Sequence, residues 1–100
     1  MVVVLLVLEL VSCHKDSEHH SVTLTWHESS STQGVAIVGY NVYRRTISGA
    51  PYVKIAARVP RATYEDRIVN SRTTYLYAVT AVDQHGRESS FSNVVRVEVP

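Results

Sequence analysis

The sequence contains little cysteine. Cys13 is the only cysteine among its 100 residues. A single thiol excludes an intramolecular disulfide framework and a zinc site built from several cysteine thiolates. A chain of this length has room for one domain with a single hydrophobic core. The fold must therefore be stabilised by packing.

The sequence also lacks a run of charge of one sign. Ten basic and nine acidic residues are spread along the chain, which gives a formal net charge of +1. Proteins that bind nucleic acid or an anionic membrane surface concentrate lysine and arginine in patches. The composition therefore predicts no nucleic-acid partner.

Motifs for catalysis and cofactor binding are missing as well. With only four glycines, the chain has no phosphate-binding glycine loop, and it has no G-x-S-x-G elbow. The histidines show no metal-ligand spacing, since His19 and His20 are adjacent, while His27 and His85 fall in predicted loops. We predict that the chain has no cofactor and no metal site.

Glu65 and Asp66 are carboxylates next to each other in the sequence. On a strand their side chains point to opposite faces, so they cannot flank one substrate bond as a general acid and base must. We expect both to be surface charges. The chain is accordingly predicted not to be an enzyme.

The N-terminus, by contrast, has an apolar run, residues 1–13. Ten of its first eleven residues are apolar, and only Glu9 interrupts them. The run is too short for a membrane-spanning helix, which needs about 20 residues, but it fits the core of a signal peptide. Leu10 to Cys13 resembles the lipobox of bacterial lipoproteins, which predicts cleavage before Cys13 and lipid attachment to its thiol. An uncleaved strand or interfacial segment and a plain secretion signal are the alternatives.

Residues 14–20, HKDSEHH, are all polar and show no periodicity. This composition predicts a tether. The domain itself is then predicted to occupy residues 21–100.

Short alternating runs separated by turn residues follow. The longest is Thr73–Asp83, whose large side chains alternate with small or mixed ones, as in the central strand of a sheet. Further strands are predicted at about 21–26, 35–46, 52–56, 63–68 and 93–99. Without an amphipathic helix, this pattern predicts an all-β antiparallel sandwich. The expected structural core contains Trp26, Tyr40, Val42, Tyr75, Tyr77 and Val79.

Residues 21–100 resemble a bacterial fibronectin type III domain. The resemblance rests on the segments SVTLTW, GYNVYRR, TYEDRIV, TTYLYAVTAVD and GRESSFSNVV. It implies an immunoglobulin-like sandwich of about seven strands in two sheets, A-B-E against C-C′-F-G. It also implies that Tyr75 makes the tyrosine corner of this family, its hydroxyl bonded to backbone upstream.

Strand A is the one departure from the family. Only the polar tether and the apolar leader precede residue 21. Either strand A is vestigial or the leader supplies it. The second alternative competes with the signal peptide, because a cleaved leader cannot be a strand.

The resemblance implies that ligands meet the end loops or the outer face of the C-C′-F-G sheet. On that face Tyr43 should point outward beside Leu76 and Ala78, and an exposed aromatic ring near a cation can stack on a sugar or meet a protein. The last loop carries Gly-Arg-Glu and not the Arg-Gly-Asp of integrin-binding members. The predicted binding surface contains Tyr43, Arg45, Leu76, His85 and Arg87. Ordinary cross-strand packing is the alternative.

These observations predict a non-catalytic module outside the cytoplasm, lipid-anchored at the cell envelope or secreted. It would act as a spacer or as an interaction domain for an unidentified protein or carbohydrate, with the membrane as a further partner through a lipid on Cys13. One alternative is an accessory domain of a larger secreted carbohydrate-active enzyme. Another is an adhesion or assembly subunit that pairs through a sheet edge.

Overall fold

The computed structural model describes residues 8–16, 19–28 and 35–100. Its strands are β1 (Leu8–Asp16), β2 (His19–Trp26), β3 (Ile37–Thr46), β4 (Val53–Val59), β5 (Thr63–Asp66), β6 (Thr73–Asp83) and β7 (Val95–Val99). One antiparallel sheet has the order β1-β2-β5, and the other has the order β4-β3-β6-β7. The all-β sandwich predicted from the sequence is confirmed. In the described ranges, no helical segment has the length and hydropathy to cross a bilayer.

The four-stranded sheet is centred on β3 and β6, which pair along most of their length. Val42 lies opposite Val79, so residues of both strands that are two positions apart face the other sheet together. On that inner face, side chains from β2, β3, β6 and β7 pack as one core. The buried core residues are Val22, Leu24, Trp26, Tyr40, Val42, Tyr75, Tyr77, Val79, Ala81, Val97 and Val99.

The segment predicted as a tether differs from the structure. His14 to Asp16 belong to β1, and His19 and His20 begin β2, so most of residues 14–20 is paired strand. β1 lies at the edge of its sheet, where only β2 pairs with it. Strand A is thus supplied by residues on both sides of Cys13, whose backbone lies opposite Val22. Lipid attachment to Cys13 stays a prediction.

A close approach between β3 and β4 requires glycine at position 39. A Cβ atom there would lie 2.9 Å from the Cα of Arg58. Arg58 itself adopts the left-handed region with a φ of 52°, and its N–H donates a 3.0 Å hydrogen bond to Oδ1 of Asn41. The β3–β4 register is irregular at this point, between Tyr40 and Val42.

Candidate binding surface

Three aromatic side chains meet on the outer face of the four-stranded sheet. Tyr43 comes from β3, Tyr52 precedes β4, and Phe91 lies between β6 and β7. The Phe91 ring centroid is 5.0 Å from that of Tyr43 and 5.3 Å from that of Tyr52, at interplanar angles of 48° and 67°. Tilted rings at these separations attract one another. We call these three residues the aromatic cluster.

Two serines hold the backbone that carries Phe91 against β6. The N–H of Ser89 donates to the carbonyl of Ala81 at 2.9 Å, and the N–H of Ser92 donates to that of Val79 at 2.8 Å. Each serine hydroxyl also accepts the N–H of the same β6 residue, at 2.9 Å. Phe91 therefore projects from a backbone that is fixed on both sides.

Glu88 connects the cluster to β6. Its Oε2 accepts hydrogen bonds from the Tyr43 hydroxyl at 2.6 Å and from the Thr80 hydroxyl at 2.8 Å, and its Oε1 lies 3.6 Å from Nζ of Lys54. Burial acts to raise the pKa of Glu88, but these hydrogen bonds hold that pKa below its ordinary value. Burial, followed by the bond to Glu88, raises the pKa of Tyr43 to about 12. At neutral pH Glu88 is therefore a carboxylate and Tyr43 a hydrogen-bond donor.

Two cations lie over the tyrosine rings. The Arg45 guanidinium carbon is 5.4 Å from the Tyr52 ring centroid, and Lys54 Nζ is 5.8 Å from the Tyr43 ring centroid. Both distances are within the range of cation–π attraction. The cluster is thus bordered by charges of both signs.

The structure brings together only part of the binding surface predicted from the sequence. Tyr43 and Arg45 adjoin the aromatic cluster, and half-buried Leu76 is the cross-strand neighbour of Arg45. The expectation that Ala78 is exposed is wrong, because this residue, opposite Tyr43, is fully buried.

The other two predicted residues, His85 and Arg87, lie in the loop that follows β6. Their backbone N–H groups donate to Oδ1 of Asp83, and Arg87 Nε donates to its Oδ2 at 2.9 Å. Burial opposes ionisation of Asp83, yet the hydrogen bonds from Arg87 and His85 hold its pKa below the ordinary value. The hydrogen bonds from Arg87 to Asp83 therefore stabilise the loop to which Arg87 belongs.

Sequence reasoning missed four residues of this surface. They are Tyr52, Lys54, Glu88 and Phe91. The segment around Phe91 has no strand periodicity, so no pattern indicated which face it joins. The only signal in the sequence was that Phe91 is the sole phenylalanine of the chain.

A second group of polar side chains lies inside the sandwich. It includes Asp66, which was expected at the surface. This residue is 2% exposed, whereas Glu65 is exposed as predicted. Asp66 Oδ2 accepts hydrogen bonds from Arg44 at 2.8 Å and from the Tyr77 hydroxyl at 2.7 Å, and its Oδ1 accepts the N–H of Ile68. Burial and then the bond to Asp66 raise the pKa of Tyr77 above its ordinary value. The hydrogen bonds from Arg44 on β3 and Tyr77 on β6 to Asp66 on β5 join the two sheets.

The tyrosine at the start of β6 closes the same end of the sandwich. The Tyr75 hydroxyl accepts the backbone N–H of Asn70 at 2.8 Å, which is the corner that the family resemblance implies. The Arg44 guanidinium carbon lies 5.2 Å from the Tyr75 ring centroid. In the part of the chain that the structure describes, no three histidine, cysteine, aspartate or glutamate side chains come together as metal ligands would. The carboxylate of Asp66 and the hydroxyls of Tyr75 and Tyr77 are thus engaged in structural hydrogen bonds.

Comparison with known proteins gives relatives that are much longer than this chain. It is 52% identical over 58 residues to an amylopullulanase of Thermoanaerobacter thermohydrosulfuricus, an alignment that covers 58% of this chain. It is 39% identical over 77 residues to an amylopullulanase of Thermoanaerobacterium thermosulfurigenes, covering 77% of this chain. The aligned part is only 4% of the length of each relative. No family model matches the chain.

A solved structure matches over nearly its whole length. The crystal structure of a Fn3-like protein from Clostridium thermocellum has a TM-score of 0.70 and 33% sequence identity to this chain. The match covers 93% of this chain and 91% of that one. Over this alignment the two chains share the fold and 33% of their residues.

Proposed function

Because the chain belongs to the family of fibronectin type III-like (Fn3-like) domains, we propose that it is a non-catalytic accessory module of a larger carbohydrate-active enzyme. Within that enzyme it acts as a spacer or as an interaction domain. The observation that carries the proposal is the size relationship with the amylopullulanases, of which the shared segment is 4%. A segment so small relative to the whole is an appended module.

The geometry of the site agrees with a non-catalytic role. The buried carboxylate Asp66 and the buried phenol of Tyr77 bond to each other, and Asp83 is bonded within its loop. A general acid or base needs a proton-accepting or proton-donating atom directed at a substrate. The buried carboxylates of this domain direct theirs at its own backbone and side chains.

The location outside the cytoplasm is part of the same proposal. An enzyme that degrades external polysaccharide works on a substrate too large to enter the cell, so a module of such an enzyme would work outside the cytoplasm. In one form of the proposal, lipid attached to Cys13 holds the module at the envelope. Cleavage before Cys13 would remove Leu8, Leu10, Val11 and Ser12, which pair with β2.

The native polypeptide provides the test. An antiserum raised against the 100-residue chain should detect, in the source organism, a polypeptide far larger than 11.2 kDa. Peptide sequencing of that band should identify a carbohydrate-active catalytic domain in the same polypeptide. A native band near 11.2 kDa would contradict the proposal. Release of reducing sugar from amylose or pullulan by the isolated chain, above a heat-inactivated control, would contradict the non-catalytic role.

Intact mass decides the form of the N-terminus. The chain is expressed in a bacterium beside Cys13→Ala, and both are weighed and fractionated. Loss of residues 1–12, an added acyl mass and release from the membrane in the variant would support the anchor. An unmodified full-length chain in the soluble fraction would support residues 8–16 as a retained β1.

A further inference from the structure

Phe91 offers the open ring of the aromatic cluster. It is 45% exposed, while Lys54 lies over the Tyr43 ring and Arg45 over the Tyr52 ring. When a ligand covers an exposed phenylalanine, its apolar surface leaves water and the free energy of the complex is lowered. A ligand would therefore meet Phe91 first, with the two cations beside it.

The border of the cluster determines which ligand fits. Arg45 and Lys54 are hydrogen-bond donors, and Glu88 is an acceptor whose side chain is 33% exposed. Because the border carries both signs of charge, a charged ligand of either sign meets a like charge at some point of it. The complementary ligand is uncharged, has an apolar face and carries hydroxyl groups that both donate and accept. A pyranose ring has these features, since its axial C–H bonds form a face and its hydroxyls form an edge.

We propose that the aromatic cluster, with Arg45, Lys54 and Glu88 at its border, binds a neutral glucan chain. One sugar ring stacks on Phe91, and its hydroxyls bond to the three charged side chains. This inference rests on the proposed function, because it gives the accessory module a direct contact with the polysaccharide on which the enzyme acts. The contact consists of stacking and hydrogen bonds, and no covalent bond is made or broken.

The surface is held in place by hydrogen bonds within the domain. The Tyr43 hydroxyl is held by Glu88 at 2.6 Å, and the backbone on either side of Phe91 is held by Ser89 and Ser92. A rigid surface loses little conformational freedom on binding, which favours affinity even for a small contact. Because the contact depends on one exposed ring, we expect the binding to be weak. Weak binding still helps an enzyme that contacts its substrate at several places.

The test is an NMR titration of the 100-residue chain, labelled with ¹⁵N, with maltohexaose and separately with cellohexaose. We expect amide shifts that are concentrated at Tyr43, Lys54 and Phe91. Phe91→Ala should bind about tenfold more weakly, as loss of one aromatic contact predicts, whereas Phe91→Tyr should keep the affinity within about twofold. Ile68→Ala is the matched control, since Ile68 is an exposed apolar side chain outside the aromatic cluster, and its affinity should not change.

The outcomes separate this site from the proposed function. Binding of neither hexasaccharide, shifts elsewhere on the domain, or equal affinity in Phe91→Ala overturns the site. If Phe91→Ala does not fold, Lys54→Met decides, with an expected loss of about threefold and no loss overturning the site. The size of the native polypeptide is independent of this titration. A long native enzyme without glucan binding would overturn the site alone, and a short native chain would overturn the accessory role itself.

Discussion

The hydroxyl of Tyr77 on β6 donates a 2.7 Å hydrogen bond to Oδ2 of Asp66 on β5, and this bond crosses from one sheet to the other inside the sandwich. Tyr77 is fully buried and Asp66 is 2% exposed. Arg44 donates to the same carboxylate oxygen at 2.8 Å. Two strands that belong to different sheets are thereby tied inside the sandwich.

Tyr77→Phe removes one hydrogen bond and keeps the aromatic ring, so the core loses only the volume of a hydroxyl group. The buried carboxylate of Asp66 loses a donor, so the free energy of unfolding should fall by about 1–3 kcal/mol. Urea unfolding followed by Trp26 fluorescence measures the change. Tyr52→Phe, on the outer face, is the control and should alter stability by less than about 0.5 kcal/mol. Equal losses in the two variants would contradict the role given to the Tyr77 hydroxyl.

Asp66→Asn keeps the shape of the side chain and removes its charge. Arg44, whose side chain is 22% exposed, then loses its partner in a site with little water, so the free energy of unfolding should fall by about 2–3 kcal/mol. Glu98→Gln breaks the Arg96–Glu98 pair, whose side chains are 57% and 71% exposed, and should cost less than about 0.5 kcal/mol. Similar costs for the two substitutions would mean that burial does not strengthen the Arg44 pair.

The loop beyond β6 should lose stability in acid through Asp83. Its pKa is lower in the folded than in the unfolded chain, so the unfolded chain binds more protons between the two values. The stabilisation is complete above the unfolded pKa of about 3.9 and disappears as the pH falls through the folded pKa. Asp83→Asn should therefore be less stable than wild type at neutral pH, and the difference should shrink on acidification to about pH 2. Urea unfolding across that range, with Glu98→Gln as control, measures it; a constant difference would contradict this cause.

Tyr43→Phe should raise the pKa of Glu88 toward its ordinary value. The substitution removes the 2.6 Å hydrogen bond that stabilises the carboxylate and leaves the ring in the aromatic cluster. The shift is measured by following the ¹³C resonance of the Glu88 carboxyl during a pH titration. Tyr52→Phe keeps the bond to Glu88 and should leave the titration unchanged. An unaltered Glu88 curve in Tyr43→Phe would show that the bond is not made in solution.

The buried positions of the central strands could be predicted, but the buried carboxylate could not. Tyr75, Tyr77 and Val79 alternate with residues of the other face, and period-two alternation is visible in any single sequence. Asp66 follows the same alternation, yet its polarity indicated a surface position. Its burial depends on Arg44, 22 residues away, and on Tyr77, 11 residues away. A sequence pattern does not say which distant donors will meet a carboxylate.

The residues of the binding surface also divide into those that the sequence predicted and those that it did not. Tyr43 and Arg45 were predicted because β3 alternates regularly, and alternate residues of a strand share a face. Tyr52 and Lys54 were missed although a strand was predicted at 52–56, because the pattern did not show that this strand lies beside Tyr43. Phe91 and Glu88 were missed, since they lie outside the regular strands and reach the surface through the path of the chain between β6 and β7. The serine hydrogen bonds to β6 that direct this path become visible only in three dimensions.

The sequence by itself determined the class of fold, because alternating side chains assign each residue of a strand to a face and turn residues separate the strands. It also determined the single core and the absence of disulfide cross-links within the chain. Only the tertiary structure decided that residues 8–16 pair as β1, that Asp66 is buried, and that Phe91 completes an aromatic cluster with Tyr43. Each of these depends on contacts between residues distant in the chain, and such contacts leave no local period in the sequence.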